Sequence, residues 1–556
     1  MHRRPLLLAL AGAMLPRLAP AATPAATPPA QADLARLQAH LRFLADPLLE
    51  GREAGTRGFD LAAAYVASQF AQLGLKPQGD AGSYAQQVPL KTARLAEPAP
   101  VLSLCQGERC EPLAYLDEFS IRPDLGSAHN DLSAPLVFAG HGIVSPAFGL
   151  DDYAGLDVRD KIVVVLAGRP SAVPPEEGAH LGNLRNKGEL AARRGALGII
   201  QLATPRSEIA SPFHLARQHA DAVAMDWLTA DGRSGNEVAG LRASVTISLQ
   251  AAPRLLAAIA PDYLALVTDA EAGRAVPRGE LSLSARVVYD TTHGEARSGN
   301  LVGLLEGRHP QRKHEFIVMT AHLDHIGRKP GPQGDVIYPG AMDNAMGVAT
   351  LLETARLLTQ GPTPDRSVLF VALTGEEKGL IGSSYFASHL PVPAAALTAA
   401  VNVDMPILLH DFREVVALGG PHSTLGATVA RVARRLGLQT APDPDPEPAQ
   451  SRFTRSDQYS FVRRGIPAVI VGPGAASFDP QEDGAALMRD FRRLRYHQPS
   501  DDLGQAWHGR AMRRYAQLHH ALLLDIAQDP QRARWLPGDF FGEQFAPDGR
   551  APNRAP

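Results

Sequence analysis

From Asp33 onward, leucines recur every three to four residues, at Leu34, Leu37, Leu41 and Leu44. That spacing predicts a helix with one buried face. A second helical period covers 58–73, with Ala62, Val66, Phe70 and Leu73 on the apolar side and Gly74 placed to end it. Between about 98 and 260 the period shortens. The runs 134–139, 161–166 and 197–202 are rich in Val, Ile and Leu and predict a compact insert with strands and a small core of its own. After Arg286 apolar strands alternate with helical stretches. The expected fold class is α/β: a three-layer α/β/α domain with a mixed, mostly parallel sheet, plus a small β-rich α/β insert.

Composition sharpens this picture in two places. The chain has 556 residues, more than one hydrophobic core usually serves, so at least two domains are expected. Its 55 basic and 58 acidic side chains leave a net charge of -3, which argues against a nucleic-acid partner or a strongly anionic membrane surface. The first residues, Met1-His2-Arg3-Arg4, precede an apolar run over 6–15 and the small-residue pattern Ala19-Pro20-Ala21. This reads as a signal peptide over 1–21 and predicts an exported protein, periplasmic or secreted. Arg3-Arg4 leaves the general and twin-arginine export routes both open. No later stretch has the ~20 apolar residues of a membrane span. The two cysteines, Cys105 and Cys110, suit a short local disulfide in an oxidising compartment better than a zinc cage, with unlinked thiols as the alternative. The expected boundaries are a low-complexity linker over 22–32 and an N-terminal helical part of the main domain over 33–97. The insert follows over 98–260, the catalytic domain over 261–528 and an irregular tail over 529–556. Oligomeric state carries no signal.

Chemistry concentrates at the ends of the apolar strands. The run 316–322 ends in His322, with Asp324 two residues later on the same side of an extended chain. A metal-bound imidazole commonly has its second N–H fixed by a carboxylate, so the pair reads as a ligand and its orienting partner. In Gly340-Ala-Met-Asp-Asn344, Asp343 precedes a helix and serves either as a cap or as a carboxylate shared by two ions. The strand at 368–373 leads into Glu376-Glu377. Adjacent carboxylates there are costly unless one binds a metal and the other acts as a general base. A further apolar strand ends in Asp404, and His497 lies in a loop before the last long helix. Two histidines and three carboxylates around two ions, one carboxylate shared, form a coherent zinc set.

Together with Arg52-Glu-Ala-Gly-Thr56, the motifs Ala321-His-Leu-Asp-His-Ile-Gly327, Gly340-Ala-Met-Asp-Asn344, Thr374-Gly-Glu-Glu-Lys-Gly-Leu380, Val403-Asp404 and His497 resemble the co-catalytic zinc exopeptidases. That family contains the bacterial leucyl aminopeptidases and glutamate carboxypeptidase. The resemblance runs over most of the chain after the leader and implies a phosphorylase/hydrolase-like zinc peptidase fold with two Zn2+ per chain. It implies one zinc site completed by His322 and Asp404 and a second by Glu377 and His497. Asp343 bridges both, Glu376 is the general base and Asp324 the partner of His322. It further implies a cis peptide bond between Asp343 and Asn344. Many relatives have His where this chain has Gln458, which puts a role for that position in substrate or oxyanion binding in doubt. The stretch 153–165, Lys187 and 195–200 resemble a protease-associated domain, either a lid over the cleft or a packing module. The implied activity is aminopeptidase cleavage of peptides. Alternatives are a carboxypeptidase or dipeptidase, for which Arg452, Arg455 or Arg463 would hold a terminal carboxylate, a glutaminyl cyclase, and a non-catalytic binding protein of transferrin-receptor type. The complete ligand set counts against the last.

Overall fold

The computed structural model describes residues 31–331, 334, 336–443 and 451–546. The leader 1–21, most of the 22–32 linker and the tail beyond 546 lie outside the described residues. The strands Phe316–His322, Ser367–Leu373, Leu397–Asn402 and Ala468–Pro473 are the parallel centre of a mixed sheet. Antiparallel strands flank it, with Glu414–Leu418 on one side and the C-terminal half of the long strand Gly279–Leu305 on the other. Every residue of Ser367–Leu373 is buried. The continuous apolar run, without alternation, is what a strand covered on both faces requires.

Helices cover those two faces. Leu34–Leu44, Arg57–Gln72, Met346–Gln360 and Gly509–Gln528 pack into one large core, and Ile381–Ser388, Gln458–Val462 and Phe540–Phe545 into another on the opposite face. The first helix is capped by Asp33, whose side chain accepts from Ala35 N and Arg36 N. The second runs to Gln72, and Gly74 turns the chain with φ +71°. The architecture is three-layer α/β/α, as the alternating pattern predicts.

The insert has its own sheet and core. Strands His129–Phe138, Ile162–Leu166, Gly198–Leu202 and Ala243–Ile247 run parallel, and the first half of Gly279–Leu305 lies antiparallel between His129–Phe138 and Val101–Gln106. Its C-terminal boundary differs from the expected 260. Helix Tyr263–Glu271 and the positions Ala285, Val287 and Tyr289 bury their apolar faces in the insert core, so the insert extends to about 290. The expected N-terminal helical part also ends earlier, in the strand Ala85–Leu95, which pairs with 291–301 on one side and with Ala224–Trp227 of the insert on the other. The described part of the tail is irregular over 529–539, as expected, and then turns helical. Residues 540–545 form a helix whose Phe541 is buried against Phe453 and His422. Cys105 and Cys110 are disulfide-bonded across a hairpin. Among the described residues no helix is long and apolar enough to cross a membrane.

One buried imidazole ties three parts together. His422 Nε2 meets Glu176 of the insert at 2.7 Å, and its Nδ1 meets Asp539 of the C-terminal segment at 2.6 Å. Burial opposes the charge on His422, but the two carboxylates prevail and raise its pKa from 6.5 to about 10. A folded pKa above the unfolded one gives stability that is complete below pH 6.5 and is lost as pH rises toward 10. His422→Gln should therefore destabilise the protein by on the order of 3–5 kcal/mol near pH 6.5. The gap in denaturant midpoint from wild type should narrow as pH rises to 10. A gap independent of pH would show that the imidazolium is not what holds the three segments.

Candidate metal centre

The three strand ends converge. His322 is the last residue of its strand, Glu376-Glu377 follow Ser367–Leu373 by a tight turn, and Asp404 lies two residues beyond Leu397–Asn402. All sit at the carboxyl edge of parallel strands, where α/β folds place their ligands. The turn after Tyr338 brings in Asp343. Gly340 has φ +59°, and a Cβ there would stand 2.2 Å from Asp343 O and 2.4 Å from the His325 ring. Only glycine lets this loop close on the site. The Asp343-Asn344 bond is cis.

Asp343 lies between two donor sets. His322 Nε2 is 3.2 Å from Asp343 Oδ1 and 3.0 Å from Asp404 Oδ1. On the other side, His497 Nε2 is 3.3 Å from Asp343 Oδ2 and 3.1 Å from Glu377 Oε2. Two donors each ~2.0–2.1 Å from one tetrahedral ion stand roughly 3.3 Å apart. Both triads have that spacing, so the residues fit two zinc ions with one shared carboxylate. The surroundings agree. Asp324, Asp343, Asp457 and Asp501 are all buried, and so many carboxylates withdrawn from water call for a cation. His325 Nδ1 lies 2.7 Å from Glu377 Oε1, yet neither ring nitrogen of His325 has a hydrogen-bond partner.

The supporting contacts depart from the sequence reading at Asp324. His322 Nδ1 donates to the main-chain oxygen of Asp324 at 3.1 Å, while the Asp324 carboxylate is 4.0 Å away. That carboxylate instead accepts the N–H groups of Glu376 and Glu377, at 3.1 and 3.2 Å. It holds the glutamate turn and supports the imidazole only through its own backbone. The reason is that the turn after a strand leaves its N–H groups without ladder partners.

Asp501 and His325 were given no role by sequence reasoning. The Asp501 carboxylate accepts from Met342 N at 2.9 Å and Asp343 N at 3.0 Å, clamping the loop that carries Asp343. Its only sequence signal is its place four residues after His497. Gln458 lies inside rather than lining the cleft. It accepts from Asn402 and donates to Phe453 O, behind Ser456, which donates to Asp404 Oδ2 at 2.5 Å.

Charge follows from this packing. Burial first, with the nearby Asp404, Glu377 and Asp457 charges, raises the pKa of Glu376 well above the ordinary carboxylate range, against the lowering effect of His322. Asp457 is raised to about 7 and Asp324 to about 6, both chiefly by burial. Burial opposes ionisation of Glu377 too, but His497 and His325 outweigh it and hold its pKa well below the ordinary value. The two adjacent glutamates are thus driven apart in proton affinity, Glu376 upward and Glu377 downward. Such splitting marks a division of roles.

Residues 300–523, which hold all of these groups, match the sequence model of peptidase family M28. That segment is similar to peptidase family M28. The chain is similar to aminopeptidase YwaD of Bacillus subtilis (strain 168), at 37% identity over 94 residues, 17% of this chain and 18% of that protein. It is also similar to a probable zinc metalloprotease of Pyrenophora tritici-repentis (strain Pt-1C-BFP), at 41% identity over 91 residues, 16% of this chain and 20% of that one. These matches span about a fifth of the length of the curated relatives. The solved aminopeptidase from Aneurinibacillus sp. strain AM-1 has the same fold, with a TM-score of 0.51 at 20% identity over 90% of this chain and 95% of that one. That likeness in fold takes in the insert as well as the main sheet.

Metal analysis tests the shared carboxylate. Asp343→Asn should leave the purified protein with neither zinc after dialysis, whereas Asp404→Asn should keep the ion held by Glu377 and His497. Two retained equivalents in the Asp343 variant would rule out a bridge.

Proposed function

We propose that the protein is an exported aminopeptidase that removes N-terminal residues from peptides, with Glu376 as general base at a two-zinc centre. The observation that carries this reading is Asp343, which offers one oxygen to the His322–Asp404 pair and the other to the His497–Glu377 pair. Zinc held by His322, Asp343, Asp404, Glu377 and His497 would supply Lewis acidity for activating water and the scissile carbonyl. The chain's own groups then do the proton work. Glu376 takes the proton from the attacking water and returns it to the departing amine; its raised proton affinity suits a group that must hold a proton between the two steps. Tyr496, whose hydroxyl accepts from Arg455 Nη2 at 3.2 Å, keeps its own O–H to donate to the carbonyl oxygen.

The acidic surroundings favour a cationic α-amine over a carboxylate. Beside Asp404 a small pocket has an apolar wall of Ile407, Val416, Leu418, Ile470 and Met488 and a charged one of Asp443, Arg452 and Arg492, and we assign it to the side chain of the N-terminal residue. The names of the Bacillus and Aneurinibacillus relatives support the same class. Export is supported by the leader pattern and by the Cys105–Cys110 disulfide, which persists in oxidising compartments. We read the insert as a protease-associated module beside the cleft, where Glu189 pairs with Arg463 at 2.8 Å and His180 meets the Tyr459 hydroxyl at 2.6 Å.

One observation favours a second reading, cleavage from the C-terminus. Of the three arginines available to hold a carboxylate, Arg452 is paired with Asp443 and Arg463 with Glu189. Arg455 alone is exposed near the centre, bonded to Tyr496. Leu-p-nitroanilide, its N-blocked form and a C-terminal substrate separate the two readings. Chelator-sensitive cleavage of the free-amine substrate alone is expected. Glu376→Gln should lower kcat by about 10²–10⁴-fold while two zinc equivalents stay bound. A variant that binds zinc and turns over normally would remove Glu376 from the chemistry.

A further inference from the structure

The Arg52-Glu-Ala-Gly-Thr56 segment lies far from the strand ends in sequence and has no part in the chemistry above. Its position in the fold is unusual. Arg52 is 1% exposed, with φ +52°. Its guanidinium donates to no carboxylate. Nε donates to Leu323 O at 2.9 Å, Nη1 to Pro339 O at 2.7 Å and to Leu44 O, and Nη2 to Gly340 O at 3.1 Å. Leu323 adjoins His322, and Gly340 begins the loop that carries Asp343. One planar side chain therefore joins the two loops whose ligands meet 3.2 Å apart.

The backbone of the same turn continues the contact. Gly51 O accepts from Gly327 N at 3.1 Å, and Arg52 O accepts from His325 N at 3.2 Å. Gly51 has φ +72°, and a Cβ there would stand 2.5 Å from both Gly327 O and Tyr338 O. Glu53 reaches the third loop, accepting from Lys378 Nζ at 2.6 Å directly after Glu376-Glu377. Residues 51–53 thus touch all three segments that bring ligands from the N-terminal side of the site.

A buried guanidinium without a paired anion is costly. Burial lowers its pKa to about 10, and the field of Asp324, Asp501, Asp343 and Glu377 counters part of that cost, so the guanidinium stays charged. The arrangement neutralises part of the acidic cluster without occupying a ligand oxygen. A lysine would keep the charge, but its point-like ammonium cannot reproduce a fork that reaches carbonyls on separate loops.

We propose that Arg52 is a positioning residue of the metal centre: its fork sets the separation of the His322 and Asp343 loops and thereby the geometry and affinity of the zinc site they share. The proposal rests on the two-zinc reading. Wild-type protein is therefore titrated first, in competition with a chromophoric zinc chelator; failure to bind two equivalents would defeat that reading and not the role of Arg52 in joining the loops. Arg52→Lys and Arg52→Gln are then compared with wild type for zinc affinity, for the visible spectrum of the cobalt-substituted protein, and for kcat and KM separately. Supporting results are a fold preserved by circular dichroism, zinc affinity lowered about 10–100-fold, an altered cobalt spectrum and a loss in kcat with KM little changed. Folded Arg52 variants with wild-type zinc affinity and an unchanged cobalt spectrum would overturn the proposal. If neither variant folds, Glu53→Gln decides, because it loosens the same turn from a half-exposed ion pair. A several-fold loss of zinc affinity supports the brace, and unchanged affinity overturns it.

Discussion

Carboxylates withdrawn from water must be met by positive charge or by directed N–H donors, and this requirement shapes the whole carboxyl edge of the main sheet. Asp324, Asp343, Glu377, Asp404, Asp457 and Asp501 are gathered there, most of them with almost no solvent contact. The protein supplies directed donors where it can. The N–H groups of Glu376 and Glu377 serve Asp324, those of Met342 and Asp343 serve Asp501, and the Ser456 hydroxyl serves Asp404. Among the described residues, the oxygens of Asp343 and Glu377 instead face imidazole nitrogens. They are the oxygens that two divalent cations would satisfy.

The rest of the fold holds that edge still. Parallel strands buried on both faces fix the positions of His322, Glu376-Glu377 and Asp404 relative to one another, since a slip of one residue would turn each strand's side chains to the opposite face. The helix Met346–Gln360, buried along most of its length, anchors the loop of Asp343 from behind. Loops at such an edge are free to vary, and precision there comes from cross-links between them. Asp501 and Arg52 are two such links, one made through N–H groups and the other through carbonyls.

Much of this was legible in the sequence, and the reason is local. His322, Asp343, Glu376-Glu377 and Asp404 each follow an apolar run or precede a helical one, so period and chemistry point to the same place. His497 sits at φ +57° in an irregular loop and was legible only through resemblance to a family. Asp501, His325 and Arg52 act on backbone atoms brought near by folding; Arg52 reaches carbonyls 271 and 288 residues away. No spacing rule expresses that. The insert boundary failed for a related reason. The helix Tyr263–Glu271 has the pattern of an α/β unit, and nothing local says which sheet its apolar face will cover. The short helix 540–545 in the otherwise irregular tail gave no signal, because its aromatics, Phe540 and Phe541, follow prolines and glycines that suggest a loop.

The strand pair that carries the insert has a consequence for how such a protein is assembled. Leu95 pairs directly with Thr291, and Ala96 N donates to Asp290 O. The chain leaves the main sheet and returns to it across the width of one strand pair, after almost two hundred residues that build a second sheet. Between those two crossings Ala224–Trp227 comes back to lie against Leu90–Ala93, with Trp227 buried on Val88, Leu90 and Ile381. The insert is thus stitched to the peptidase sheet by a strand of its own as well as by its two ends, so neither part can be recut without refitting the other.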